Sequence, residues 1–220
     1  MTGSITSARQ PKLVPAELDA DQRALYDSIA SGPRAQGQQL FSLTDPTGAL
    51  EGPFNAMLLS PPIGAALQAL GSAVRYRSSL ANRTREIAIL VVGHHSRSDF
   101  EIYAHEPVAR AAGLDASDLD ALREQRFDVL TDDQERLVAR TTYALATQGD
   151  LNDAEYAAAS EALGPKALFE LTTLVGYYAT LALQLRVYRV ITPIDESATR
   201  LTKTARETLS VPHVGMPAKR

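Results

Sequence analysis

Apolar residues recur along this chain at helical spacing, and runs of alternating polarity, the mark of half-buried strands, do not occur. The first periodic stretch places Leu25, Tyr26 and Ile29 on one face. Asp19 with Gln22 three residues on has the pattern of a capping box, and Gly32-Pro33 is a stop, which together predict a short first helix. From Arg34 to Ser60 the periodicity lapses into Gly, Pro, Ser and Gln, so a long loop is expected, ending in a short turn at Phe54 to Leu59. Loops of that length in compact domains are often functional. Pro61-Pro62 suits the first turn of a second helix through Leu67, Leu70 and Val74 to about Ser78. Asn82 is expected to cap a third helix to about Val92, in which Ile87 to Val92 are apolar on every side. A helix apolar all round is buried, in a core or against a partner subunit, and its Arg83, Arg85 and Glu86 then need partners. Ser98 opens a fourth helix that should end at Gly113, with Pro107 kinking or breaking it. Asp115, Thr131 and Asn152 each fit an N-cap, the last with Glu155 as a capping box. Gly164-Pro165 ends one helix and opens a long apolar one to about Val190. The pattern predicts an all-α fold of seven or eight helices.

With 220 residues, the chain is long enough for one sizeable core. A single helical domain is expected over residues 12–192, between a flexible N-terminus at 1–11 and an extended C-terminal tail at 193–220. A net charge of −4 offers no polybasic surface for nucleic acid or anionic membrane. The most apolar stretch, 167–183, is interrupted by Glu170, Thr172, Thr173 and Thr180, so it reads as a buried helix and the protein as soluble and cytoplasmic. The cysteine count is 0, which removes disulfides, thiolate catalysis, iron–sulfur clusters and cysteine zinc sites together. Metal binding would have to come from the 4 histidines and the carboxylates.

Glycine-rich phosphate loops, G-x-S-x-G and H-E-x-x-H are all missing. The chemistry is concentrated between Asn82 and Gly113, which holds His94, His95 and His105. On the fourth helix Ser98, Glu101 and His105 are three and then four positions apart and form one stripe. A carboxylate one turn from an imidazole fixes its tautomer and raises its basicity, so the pair suits proton handling. Glu86 could close the set from the third helix, and a buried glutamate without a cation tends to hold its proton. Ordinary roles compete: Ser98 and Glu101 also fit a capping box, Glu86 could simply pair with an arginine, and His105 could be a packed core histidine. His94 and His95 fit loop or capping positions, Arg97 and Arg110 a solvated face, and His213 is incidental.

The segment from Leu80 to Gly113, L-x-x-R-x-R-E-x(11)-S-x-x-E-x-x-x-H-x(7)-G-L, resembles the carboxymuconolactone decarboxylase and AhpD-like superfamily. Peroxidase members carry a glutamate, a C-x-x-C pair and a histidine at this spacing. Here Glu86 and His105 fall on the family glutamate and histidine, while Ser98 and Glu101 stand at the two cysteine positions. Gly52-Pro53-Phe54 with Ser60-Pro61, and Leu163-Gly164 through Tyr178, extend the resemblance over roughly residues 12 to 192. The resemblance implies an AhpD-like helical bundle and a homo-oligomer, trimer or hexamer, with sites near interfaces.

A peroxidase of that family needs two thiols, and this chain has neither. The resemblance instead implies a decarboxylase-like lyase with Glu86 and His105 as acid–base residues, acting on a small carboxylated or lactone substrate without metal or organic cofactor. Glu101 joins them by its place on the stripe. In such a reaction an acid must return a proton to carbon while a donor holds the developing enolate. His105 is the expected proton donor, with Arg83, Arg85, His94, His95 and Ser98 as candidates for binding substrate oxygen. Two alternatives stand beside it. His94, His95, His105 and a carboxylate could bind iron or zinc for oxygenase or hydrolytic chemistry, or the chain could be a non-catalytic oligomeric binding or scaffold protein.

Overall fold

The computed structural model describes residues 8–36 and 40–193. Among them it contains eight α-helices and no strand: α1 Ala20–Ala30, α2 Pro53–Met57, α3 Pro61–Tyr76, α4 Asn82–His95, α5 Asp99–Ala111, α6 Ala116–Arg123, α7 Asp133–Gln148 and α8 Asp153–Tyr188. Residues 1–7 and most of the expected tail, with His213, lie outside the described residues. Just inside that limit, the Arg9 amide donates to the Tyr188 carbonyl at 2.9 Å, which lays the start of the chain against the end of α8.

Most helix starts follow the sequence. Asp19 and Asn152 each accept from the backbone of their first turn and close capping boxes with Gln22 and Glu155. Asp115 caps α6 in the same way, with Asp118. Gly164, at φ 72°, interrupts α8 where the Gly-Pro pair marks a boundary. Three expectations need correction. The cap of α7 is Asp132 rather than Thr131, its carboxylate accepting from the Glu135 amide at 2.9 Å. Asn82 is the first residue of α4 rather than its cap, and its side-chain oxygen accepts from Arg85 Nη2 at 3.0 Å. Helix α5 continues through Pro107, which costs an internal hydrogen bond without ending the helix.

Helix α4 is the hub. Ala88, Ile89 and Val92 join an apolar cluster built from α1 to α3 and α8, while Ile87, Leu90 and Val91 join a second one built from α5 to α7. Its apolar circumference is thus shared between two cores, and each of these residues is at most 2% exposed. Arg83, at the polar start of α4, reaches Glu135 at 2.7 Å and Asp118 at 2.8 Å and pins α4 to α7 and α6. The long connection between α1 and α2 is folded back on itself by a bridge between Thr44 and Leu50 and by the Tyr26 hydroxyl, which donates to the Gly48 carbonyl at 2.8 Å. Among the described residues no helix is long and apolar enough to cross a membrane.

Candidate active site

Glu86 sits one turn into α4, where both cores close around it, and is 0% exposed. A buried carboxylate needs cations or donors. His105 Nδ1 lies 2.7 Å from Glu86 Oε2, while Arg75 and Arg85 approach Oε1 at 3.6 and 3.8 Å. Burial alone would raise the Glu86 carboxyl, but His105, Arg75 and Arg85 outweigh it and hold the group below its ordinary value. Of the two readings the sequence leaves open, pairing with an arginine is the one realised, through Arg75 and Arg85, and Glu86 is a carboxylate at neutral pH.

Because an ionised carboxylate only accepts, the short contact makes His105 Nδ1 the donor. Burial lowers the imidazole's proton affinity, Glu86 opposes this, and Arg75 and Arg34 add to the lowering, with a net downward shift. His105 is then neutral, its proton on Nδ1 and its Nε2 a bare acceptor. That leaves the sequence-expected proton donor without a proton to give on its open side. Nε2 faces Glu101 Oε2 at 3.6 Å.

Glu101 reverses the behaviour of Glu86. It comes from the first turn of α5, as an inward-facing residue and not as the partner of a capping box, since the Ser98 side chain makes no cap hydrogen bond. Burial drives its carboxyl up to about 8, Arg34 and Arg75 counter this only in part, and Glu86 adds to the rise. Two carboxylates on either side of one imidazole are thus pushed apart: Glu86 is ionised and Glu101 protonated at neutral pH.

Glu101 and His105 line a cavity of about 30 Å³ with Arg34, Phe54, Arg75 and Tyr177. Tyr178 closes it with its ring edge-on to His105, the centroids 5.2 Å apart. Two glycines set these walls. A Cβ on Gly71 of α3 would lie 2.1 Å from the Tyr177 hydroxyl and 2.8 Å from Arg34 Nη2, so only glycine lets both reach the site. A Cβ on Gly52, whose φ is +61°, would fall 2.2 Å from the Phe100 ring.

The structure thus gathers Glu86, Glu101 and His105, with Ser98 buried at the start of the same helix. Of the other sequence candidates it brings only Arg85 to them. Arg83 is held by Glu135 and Asp118. His95 stacks edge-on against Tyr143, 6.1 Å between centroids, at the far end of α4. Beside it, His94 has its proton affinity lowered by burial and by Arg123. Arg85 reaches Glu86 from the side away from His105. Among the described residues no group of three histidines or carboxylates is placed to hold a metal ion. Sequence reasoning missed Arg75, although it is the one charged residue in α3. It also missed Arg34 and gave no role to the tyrosine pair of α8.

The helical architecture thus assembles a glutamate–histidine–glutamate array in a chain that has 0 cysteines. The chain superimposes on a crystal structure of an alkylhydroperoxidase AhpD core, an uncharacterized peroxidase-related protein from Ralstonia eutropha JMP134, with a TM-score of 0.67 and 12% identity over 86% of this chain and 94% of that one. It also superimposes on a protein of unknown function from Agrobacterium tumefaciens assigned to AhpD-type antioxidant defence, with a TM-score of 0.59 and 18% identity over 65% of this chain and 99% of that one. No curated protein matches it. Residues 61–144, which contain Glu86, Glu101 and His105, match the model of the carboxymuconolactone decarboxylase family. Over that central segment the chain is similar to the carboxymuconolactone decarboxylase family, and its fold is that of the two AhpD-like structures.

Proposed function

We propose that this protein is a cofactor-independent, decarboxylase-like lyase that acts by acid–base catalysis on a small carboxylated or lactone substrate. The observation that carries this reading is a carboxyl held protonated at neutral pH, Glu101, beside a neutral histidine and two arginines in one buried cavity. Dithiol peroxide reduction, the chemistry suggested by the names of the structural neighbours, needs cysteines, and the chain has 0.

In this reading the substrate's carbon–carboxylate bond breaks, carbon dioxide leaves, and the electron pair spreads into the conjugated carbonyl. Arg34 and Arg75 stabilise the enolate oxygen, a role that falls to them because Arg83, His94 and His95 lie elsewhere. Glu101 gives its proton to carbon, and His105 Nε2, with Nδ1–H held by Glu86, passes a proton back to Glu101 from solvent. One proton is consumed for each carbon dioxide released. A cavity of about 30 Å³ holds roughly one water, so substrate binding requires lining side chains to move apart. Assembly into a homo-oligomer belongs to the same proposal, supported by the exposed Phe169, Leu183 and Val187 on α8.

The test is carbon dioxide release from carboxymuconolactone. His105→Ala and Glu86→Gln should each lower kcat/KM by about 10²–10⁴-fold, the usual worth of a positioned acid or base. Full activity in both variants overturns the assignment. The tightness of the cavity supports a second reading, a non-catalytic oligomeric binding or scaffold protein, and an absence of turnover in the unmodified protein would favour it.

A further inference from the structure

Glu86 stands next to two spaces. Its Oε2 meets His105, which lines the small cavity, while its Oε1 faces Arg75 and Arg85, and Glu86 itself lines a second, larger cavity of about 470 Å³ between the end of α3 and the helices α4 and α5. That volume lies in the range of small-molecule sites, about 300–1,000 Å³. Its polar side is built and under-satisfied. Arg85 is 9% exposed and fixed through Nη2 by Asn82. Its Nε has no hydrogen-bond partner, nor has the Ser78 hydroxyl or Glu86 Oε1. Buried donors without partners cost free energy unless a ligand or water meets them.

Charge sharpens the choice of ligand. Two guanidiniums meet one carboxylate here, and that carboxylate is already shared with His105, so the pocket carries one excess positive charge. The opposite side is apolar, made of Leu80, Val108, Ala111 and Ala112. A planar carboxylate would pair with the Arg85 guanidinium where it lines the cavity, with Arg75 and Ser78 beside it. An apolar body attached to it would lie against α5.

We propose that this outer cavity is a binding site for a small organic monocarboxylate with an apolar body, seated on Arg85, Ser78 and Arg75. The site shares Arg75 with the small cavity but holds its ligand on Arg85, beyond Glu86 from Glu101 and His105, so binding there can be tested apart from the lyase reading.

Benzoate, titrated into the full-length protein by calorimetry, is the probe, with uncharged benzamide as its isostere. Benzoate should bind one per chain, and benzamide at least tenfold more weakly. Arg85→Gln should weaken benzoate at least tenfold. Ala111 is exposed, so Ala111→Trp fills the mouth without disturbing a core and should abolish binding even if Arg85→Gln fails to fold. Arg34→Gln, at a residue that lines the small cavity and not this one, should leave benzoate affinity within twofold. The proposal is overturned if benzoate does not bind, if Ala111→Trp leaves its affinity unchanged, or if Arg34→Gln and not Ala111→Trp removes it. Absence of lyase activity in the unmodified protein, with benzoate binding intact, would defeat the proposed reaction alone.

Discussion

At the scale of single residues, the contrast between Glu86 and Glu101 decides the chemistry. Both are buried glutamates within reach of one imidazole, yet one has arginines on its free oxygen and the other has an unpartnered oxygen in a closed cavity. The sequence showed the spacing that brings Glu101 and His105 together but not the cations, because Arg75 and Arg34 come from segments remote in the chain. That is why the spacing alone leaves open which of the two glutamates holds a proton. The shift at Glu101 also has a cost in stability. Its folded value, about 8, lies above the ordinary 4.5, so the folded state binds more protons than the unfolded one between those values. Stability contributed by the neutral carboxyl is full below about pH 4.5 and is lost as pH rises toward 8. Glu101→Gln keeps the shape and removes the titration, so its Tm should exceed that of the unmodified protein by several degrees at pH 8, with the gain shrinking toward pH 5. Thermal melts across that range check this, and a gain independent of pH would count against it.

At the scale of helices, α4 was legible as a buried element from its unbroken apolar run, and the two clusters on its opposite faces explain why no polar face is needed. Capping boxes were legible wherever the capping side chain stays local, at Asp19 and Asn152. The Ser98-x-x-Glu101 pattern failed as a box because the pull of a tertiary site turned Glu101 inward. The contact between α3 and α8 was not legible, since it depends on Gly71 lying under the Tyr177 hydroxyl. Gly71→Ala puts a methyl where that hydroxyl sits and should cost about 1–3 kcal/mol, the usual penalty of overpacking. Urea denaturation measures it directly, and an unchanged midpoint would show that α3 and α8 can slide apart without cost.

At the scale of the whole molecule, the fold places two arginine-lined spaces near Glu86, a small one with Glu101 and His105 and a larger one lined by Glu86 and Arg85. The all-helical bundle and the central motif could be read from sequence because periodicity and spacing are local properties. The division of space around Glu86 could not, because it arises only when α3, α4, α5 and α8 pack together. The account rests on an ionised Glu86, a neutral His105 and a protonated Glu101 coexisting at neutral pH. The most direct test is a ¹³C NMR titration of the glutamate carboxyl carbons, with Glu101→Gln used to assign the Glu101 signal. A Glu101 midpoint near 8, as burial dictates, is the predicted result. A midpoint near the ordinary 4.5 would mean that Glu101 has no proton to give at neutral pH, and would contradict the account.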